Sequence, residues 1–188
     1  MDRISLKPLN ALLGADPRHD IIGAVTISEN AGVALASLAT RRGQADRVAA
    51  VAKRLGLDLP RPGRASHSVP YSALWLGPDQ WLILAEGDVD ADIAKALEAA
   101  FGSAASITEQ TGGWVCLDVS GPALPALFER LCALDTAAME PGHGTRTVIE
   151  HLGCYVICVG IGEFRVLGPR SSAASLHHAL TTAARAIA

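Results

Sequence analysis

Aromatic side chains are scarce in this chain, at 4% of its 188 residues, and basic residues do not outnumber acidic ones. The formal net charge is −3 and the pI is near 6.0. Proteins that bind single-stranded nucleic acid stack bases on aromatic rings, and duplex binders present a basic face. The composition therefore argues against nucleic acid as a partner.

Long apolar runs are also missing. No stretch approaches the roughly 20 apolar residues that a membrane-spanning helix needs, and the N-terminal stretch MDRISLKPLNALLG does not have the pattern of a signal peptide. We therefore expect no membrane association and a cytoplasmic location. The four cysteines are then expected to be reduced thiols. They are Cys116, Cys132, Cys154 and Cys158.

Three motifs of catalysis and nucleotide binding are absent. The sequence has no G-x-G-x-x-G after its first predicted strand, no G-x4-G-K-[ST] and no G-x-S-x-G, which removes the common signatures of dinucleotide, phosphate and α/β-hydrolase sites. Gly160-Ile161-Gly162 precedes a predicted strand, not a helix, so we interpret it as a hairpin turn. The spacing of Ser and His residues indicates no catalytic triad.

A metal site is not expected either. Cys154 and Cys158 are separated by three residues, with His143 and His151 nearby, but the surrounding run GCYVICVG is continuously apolar. On a strand Val156 would lie between the two sulfurs on one face. Paired zinc ligands usually lie in loops, with a second pair elsewhere. A buried strand explains the pattern better, because a free cysteine packs as a small hydrophobe.

What the chain has in abundance is apolar residues, at 49%, with a mean hydropathy of +0.27. This is rich for an isolated globular protein and favours a surface that a partner covers. Trp75, Trp81 and Trp114 are expected mainly in the core. An exposed tryptophan would mark a partner surface, where this residue is enriched.

Periodicity and turn signals predict alternating strands and helices. The predicted strands are Ile21–Ile27, Gly32–Ala39, Tyr71–Leu76, Gln80–Ala85, Ala104–Gln110, Trp114–Val119, Arg146–His151, Cys154–Val159 and Glu163–Leu167. The predicted helices are Gln44–Leu55, Ala91–Ala100 with Asp88 or Asp90 as its cap, Pro122–Cys132, and a final helix capped by Ser171 or Ser172. Residues 58–70 and 133–144 are expected to be loops.

The order of these elements repeats. Two segments share one pattern, a turn, a strand and a short connection that leads into an alanine-rich helix. They are LGPDQWLILAEG and VGIGEFRVLGPR. We interpret this as two pseudo-repeated halves of a split βαβ type, at about 21–110 and 114–188. The predicted fold class is α+β, with mostly antiparallel sheets covered by helices, in one domain over 1–188.

The segment CLDVSGPALPALFERLCALD, residues 116–135, carries the most suggestive polar turn. Ser120 and Gly121 after a strand could cradle an anion at a helix N-terminus. Ser120 as N-cap with Pro122 in the first helical turn is the stronger interpretation. Cys132 then lies near the negative C-terminal end of the helix, which disfavours a thiolate. Asp135 has no assigned role.

Three arginines in the second half are the candidate ligand-binding residues. Arg146 and Arg165 are expected on neighbouring strands of the final meander, where they could hold a carboxylate together. Arg170 follows the last strand. The alternative is that these residues form solvated ion pairs, for example with Glu150 or Glu163.

The second half also resembles the gamma subunit of heterotetrameric sarcosine oxidase. The matching residues are S-G-P at 120–122, L-C-A-L-D at 131–135, P-G at 141–142, R-T at 146–147, E-F-R-V-L-G-P-R-S at 163–171 and S-L-x-x-x-L at 175–180. The first half matches mainly through L-G-P-D-Q-W-L-I-L at 76–84.

This resemblance implies a fold related to the folate-binding domain of the glycine-cleavage aminomethyltransferases. It also implies a non-catalytic subunit that works with alpha, beta and delta subunits. The complex demethylates sarcosine oxidatively to glycine, hydrogen peroxide and, with tetrahydrofolate, methylenetetrahydrofolate. FAD, FMN, NAD, zinc and tetrahydrofolate are then expected on the partner subunits, and no cofactor on this chain.

Two other hypotheses stay open. The chain could be a stand-alone folate-binding or aminomethyltransferase-like protein, in which Arg146, Arg165 and Arg170 hold the glutamate tail of folate. It could also be a structural or regulatory interaction module.

Overall fold

The computed structural model describes residues 9–87 and 92–188. In these residues the strands are β1 (His19–Ile22), β2 (Val25–Glu29), β3 (Val33–Thr40), β4 (Ala65–Ser66), β5 (Tyr71–Gly77), β6 (Gln80–Glu86), β7 (Ala105–Glu109), β8 (Trp114–Ser120), β9 (Gly144–Ile149), β10 (Leu152–Gly160) and β11 (Glu163–Pro169). The helices are α1 (Ala45–Arg54), α2 (Ile93–Phe101), α3 (Leu124–Glu129) and α4 (Ala173–Arg185), with short 3₁₀ turns between some elements.

The strands form two sheets, and every strand pair in the described residues is antiparallel. The first sheet has six strands in the order β1-β2-β8-β11-β10-β9, and the second has five in the order β4-β5-β6-β3-β7. The predicted α+β class with mostly antiparallel sheets is confirmed.

Each sheet is covered by helices on one face and by the other sheet on its second face. The apolar sides of α1 and α2 pack on the five-stranded sheet through Val48, Val51, Leu97 and Phe101. Those of α3 and α4 pack on the six-stranded sheet. A third cluster, which includes Leu35, Leu74, Leu84, Ile157 and Leu167, joins the inner faces of the two sheets.

The alternation of side chains along each strand explains this layering, because successive residues point to opposite faces. Ile83 of β6 packs under the helices, whereas Leu82 and Leu84 on either side of it face the other sheet. In β10, Cys154 and Val156 lie on the helix-covered face and Ile157 on the inner face. Cys154, Val156 and Cys158 thus share a buried face, as predicted for a buried strand.

The predicted strand Ile21–Ile27 is wrong as a single element. The chain turns at Gly23 and Ala24, so that β1 and β2 form a hairpin. Moreover, β2 pairs with β8, which places residues 19–29 in the sheet of the second half rather than the first. The predicted first half from about 21 therefore begins instead at β3.

The helix starts also differ from several predictions. Ser120 ends β8 and does not cap a helix, and α3 begins at Leu124 after Ala123, which leaves Pro122 in the preceding turn and Cys132 beyond the helix end. Gly121 forces this arrangement, because its backbone has φ +135° and it lies against the backbone of Ala24. A helix cannot begin at a residue with that conformation.

The caps of the other helices and of one 3₁₀ turn also differ from the predictions or add to them. The side chain of Asp92 caps α2 by accepting a hydrogen bond from the Lys95 amide at 2.9 Å. Asp88 and Asp90, the predicted caps, lie outside the described residues. Ser172 precedes α4 without a side-chain cap bond. Asp135 caps a 3₁₀ turn by accepting from the Ala138 amide at 3.2 Å.

No helix in the described ranges has both the length and the apolar character required to cross a membrane.

Candidate functional site

Arg165 joins the two sheets at one end of their interface. It lies on β11, directly opposite Asp118 of β8. Its Nε and Nη2 donate to the two carboxylate oxygens of Asp118 at 2.7 and 3.1 Å, and its Nη1 donates to Glu86 at 2.5 Å. Glu86 ends β6 of the other sheet. The Arg165 side chain therefore forms hydrogen bonds to residues of both sheets.

Arg165 stays positively charged. Burial lowers the pKa of the guanidinium, but the hydrogen bonds to Asp118 and the nearby negative charges outweigh burial and raise it above its usual value. Asn30 completes the group by donating to Asp118 at 2.7 Å. With three nitrogens bonded to two carboxylates, Arg165 is poorly suited to bind a further anion.

A cavity of about 260 Å³ lies beside Arg165, between the sheets. Its walls include Ala73, Leu84, Ile157 and Cys158, with Ser66 on one side. The Cys158 thiol donates to the Gly160 carbonyl oxygen at 3.4 Å, and burial raises its pKa. The cavity is mainly apolar, and its thiol is protonated at neutral pH.

Arg146 lies apart from Arg165. It is exposed on β9, whereas Arg165 is on β11, and β10 runs between them. The expectation of neighbouring strands is therefore wrong, and two strand spacings of about 4.8 Å separate the two backbones. In the described residues no carboxylate forms an ion pair with Arg146.

Arg170 takes a third position, at the end of β11. Its Nη2 donates to the carbonyl oxygen of Leu9 at 2.6 Å. It lines a cavity of about 400 Å³ together with Trp114, Thr111 and Glu29. The three arginines thus do not form one site. Each has its own surroundings, and only Arg146 lacks a bonded partner in the described part of the chain.

The tryptophans are all half-buried. Trp81 packs on the α1–α2 side of its sheet and donates from Nε1 to the Pro60 carbonyl oxygen at 2.9 Å. Trp114 packs at the edge of the cluster between the sheets, with its ring centroid 5.6 Å from that of Tyr155. Trp114 and Tyr155 therefore keep part of their rings on the surface.

Burial makes the Cys116 and Cys154 thiols unreactive. It raises the pKa of the Cys116 thiol to about 12 and that of Cys154 to about 11. Thiolates are the nucleophilic form, so these sulfurs act as packing groups. In residues 9–87 and 92–188 no three His, Cys, Asp or Glu side chains are grouped to hold a metal ion.

Sequence reasoning missed two structural groups. Asp118 was detectable, because it is the one charged residue in the apolar strand WVCLDVS. The second is the contact between His177 Nε2 and Asp20 Oδ2 at 2.7 Å, which ties α4 to β1 across 157 residues. No local pattern could reveal a contact at that separation.

Comparison with known proteins agrees with this architecture. The heterotetrameric sarcosine oxidase from Corynebacterium sp. U-96 in complex with pyrrole 2-carboxylate contains a chain with a TM-score of 0.75 and 24% identity, over 85% of this chain and 83% of that one. The glycine cleavage system aminomethyltransferase T from Bartonella henselae gives a TM-score of 0.61 at 16% identity, over 84% of this chain and 48% of that one. The fold is thus of the aminomethyltransferase type.

Sequence comparison is more specific. The sarcosine oxidase subunit gamma of Corynebacterium sp. (strain P-1) is 37% identical over 91 residues, which is 46% of this chain. The match spans 43% of that relative, less than half of its length. The family model for the sarcosine oxidase gamma subunit matches residues 41–184, most of the chain. This chain belongs to the sarcosine oxidase gamma subunit family.

Proposed function

We propose that this chain is a non-catalytic gamma-type subunit of a heterotetrameric sarcosine oxidase in the cytoplasm. Its partners are the alpha, beta and delta subunits, which carry FAD, FMN, NAD, zinc and tetrahydrofolate. The complex converts sarcosine to glycine, hydrogen peroxide and methylenetetrahydrofolate. The observation that carries this proposal is the family match over residues 41–184.

The local chemistry of the chain supports a structural role. Arg165, whose side chain is 12% exposed, donates its hydrogen bonds to Asp118 and Glu86. The Cys116 and Cys154 thiols are protonated at neutral pH because burial raises their pKa. These groups stabilise the fold and are poorly placed to react with a substrate.

Co-expression tests the proposal directly. The chain is produced together with alpha, beta and delta subunits of sarcosine oxidase and purified through a tag on the beta subunit. We expect all four chains to elute together and to release hydrogen peroxide when sarcosine is added. The chain alone should release none. A complete, active complex formed without this chain, or a chain that never associates with the others, would overturn the proposal.

A stand-alone folate-binding or aminomethyltransferase-like protein is the second candidate. It is favoured by the fold match to aminomethyltransferase T and by the cavity that Arg170 lines. Calorimetric titration of the isolated chain with tetrahydrofolate separates the two functions. The subunit proposal predicts no heat of binding, whereas saturable binding that is lost in Arg170→Ala but kept in Arg42→Ala would favour the second candidate.

A further inference from the structure

Strand β9 forms one edge of the six-stranded sheet, and part of its backbone is open. The two-residue turn Glu150-His151 joins β9 to β10, so Ile149 and Leu152 face each other as a hydrogen-bonded pair. Backbone groups alternate in direction along a strand. Those of Gly144, Arg146 and Val148 therefore point away from β10.

The contacts at the start of β9 agree with this direction. The Gly144 amide donates outward to the Gly63 carbonyl oxygen at 3.1 Å, next to an isolated bridge between Arg64 and His143. After Gly144 the neighbouring segment turns away. No hydrogen bond among the described residues reaches the outward backbone groups of Arg146 or Val148.

The side chains of the same residues lie on the inner face of the sheet. Arg146 is directly opposite Tyr155, and Tyr155 packs at the rim of the cluster between the sheets. Val148 is 57% exposed and Arg146 is exposed, so the five-stranded sheet does not cover this end. We call Arg146, Val148, Tyr155 and Trp114 the β9 edge surface.

We propose that the β9 edge surface docks an extended segment of a partner subunit that carries a carboxylate. The inference rests on the proposed role as a gamma subunit. The segment adds to the sheet by bonding the outward backbone groups of Arg146 and Val148. Its carboxylate pairs with Arg146, and an apolar side chain packs on Val148 and the Trp114–Tyr155 pair.

Charge complementarity selects this occupant. Arg165, on the same face, is already balanced by Asp118 and Glu86, whereas Arg146 has no acidic partner in the described residues. Tyrosine, tryptophan and arginine are also the residues that dominate binding at protein interfaces. An acidic, extended segment would supply a carboxylate for Arg146 and hydrogen-bond partners for the outward backbone groups of β9.

A competing explanation is that Arg146 simply keeps the edge from pairing. Natural proteins place charges on edge strands for this purpose. Under that explanation either sign of charge serves equally well. Under ours the positive sign is required, so a charge reversal separates the two.

The first experiment uses the co-expressed four-subunit complex with Arg146→Glu. We expect recovery of this chain with the tagged beta subunit to fall about tenfold or more, because like charges then face each other. Arg42→Glu is the matched control, since Arg42 is exposed on the turn between β3 and α1, and it should assemble as the wild type does. Thermal melting of each isolated variant reports whether it is folded.

The second experiment tests the backbone bonds. Val148→Pro removes an outward N–H, which edge strands tolerate, while Val148→Ala keeps it. We expect Val148→Pro to weaken assembly more than Val148→Ala does. In the wild-type complex, hydrogen exchange of the peptide that covers 144–149 should slow relative to the isolated chain.

The outcomes are distinguishable. If the wild-type chain assembles, yet Arg146→Glu assembles equally well and exchange at 144–149 does not change, the docking surface is wrong and the subunit role stands. If the wild-type chain does not associate with the other subunits, both proposals fail. If Val148→Pro does not fold, hydrogen exchange of the wild type still decides.

Discussion

The two sheets repeat one strand order but complete it from different parts of the chain. In the first half the order is β4-β5-β6-β3-β7, and in the second it is β9-β10-β11-β8-β2. β7 directly follows α2, the second helix of its half. The corresponding position beside β8 is filled by β2, which precedes the whole first half.

This difference shows that the repeat requires a paired neighbour for its central strand, and not a particular origin of that neighbour in the chain. The central strands β3 and β8 each need a neighbour on both sides, because unpaired backbone groups in a buried strand are costly. The neighbouring strand can come from different positions in the sequence. In the second half the β1–β2 hairpin supplies it, and the hairpin then requires contacts that the first half does not need.

The largest effect is expected where the hairpin touches the corner after β8. A Cβ on Gly121 would lie 2.0 Å from the Ala24 carbonyl oxygen, at a φ of +135°. Gly121→Ala should therefore lower the free energy of unfolding by about 3 kcal/mol or more. Urea denaturation followed by circular dichroism measures this.

The corresponding corner after β3 provides the control. Gly43 also has a positive φ, +73°, but no atom lies within 4 Å of its would-be Cβ. Gly43→Ala should lower the free energy of unfolding by only about 1 kcal/mol, from backbone strain alone. Equal losses at the two corners would contradict the special role of the hairpin.

A smaller effect is expected from the bonds that join the sheets. Arg165→Met leaves Glu86 without its partner and Asp118 with Asn30 alone. We expect the free energy of unfolding to fall by about 2 kcal/mol, as for hydrogen bonds between charged groups. Arg146→Met, on the same face but with no ion-pair partner among residues 9–87 and 92–188, should change the free energy of unfolding by less than about 0.5 kcal/mol. Comparable losses in the two variants would show that Arg146 has a partner within the chain.

A third effect concerns the tie between the hairpin and α4. The hydrogen bond from Arg18 is the main cause that lowers the pKa of Asp20, which also contacts His177. A carboxylate with a lowered pKa stabilises the fold above its unfolded pKa of about 3.9 and loses this contribution as the pH falls through its folded pKa.

Asp20→Asn should therefore lower the free energy of unfolding by about 1 kcal/mol at neutral pH. The difference from the wild type should shrink below about pH 4. Denaturant titrations across this range measure it, with Asp16→Asn as an exposed control. A difference that stays constant down to the lowest pH would exclude an ionised Asp20 as its cause.

Local patterns predicted much of this structure, and long-range contacts explain the rest. The periodic apolar residues of α1 and the turn between β5 and β6 were sufficient for those elements, because their signals lie within a few residues. The break at Gly23 and Ala24 was missed because β1 and β2 read as one apolar run. The pairing of β2 with β8, about 90 residues later in the chain, has no local signal either.

The candidate site was less predictable for the same reason. The three arginines were recognised as notable residues, but their separation depends on strand order, since β10 inserts between β9 and β11. The partners of Arg165 come from β8 and from the other sheet. Sequence spacing alone contains neither fact.

A further small effect distinguishes the second helices of the two halves, α2 and α4. Asp92 caps α2 through a hydrogen bond from the Lys95 amide, whereas Ser172, in the same position before α4, makes no such bond. Asp92→Ala should lower the free energy of unfolding by about 1 kcal/mol. Ser172→Ala should change it by less than about 0.5 kcal/mol, because α4 is held by buried residues such as Leu176 and Leu180 and by the contact of His177 with Asp20. If both substitutions cost the same, Ser172 caps α4 in solution, and packing contributes less to that helix than its burial implies.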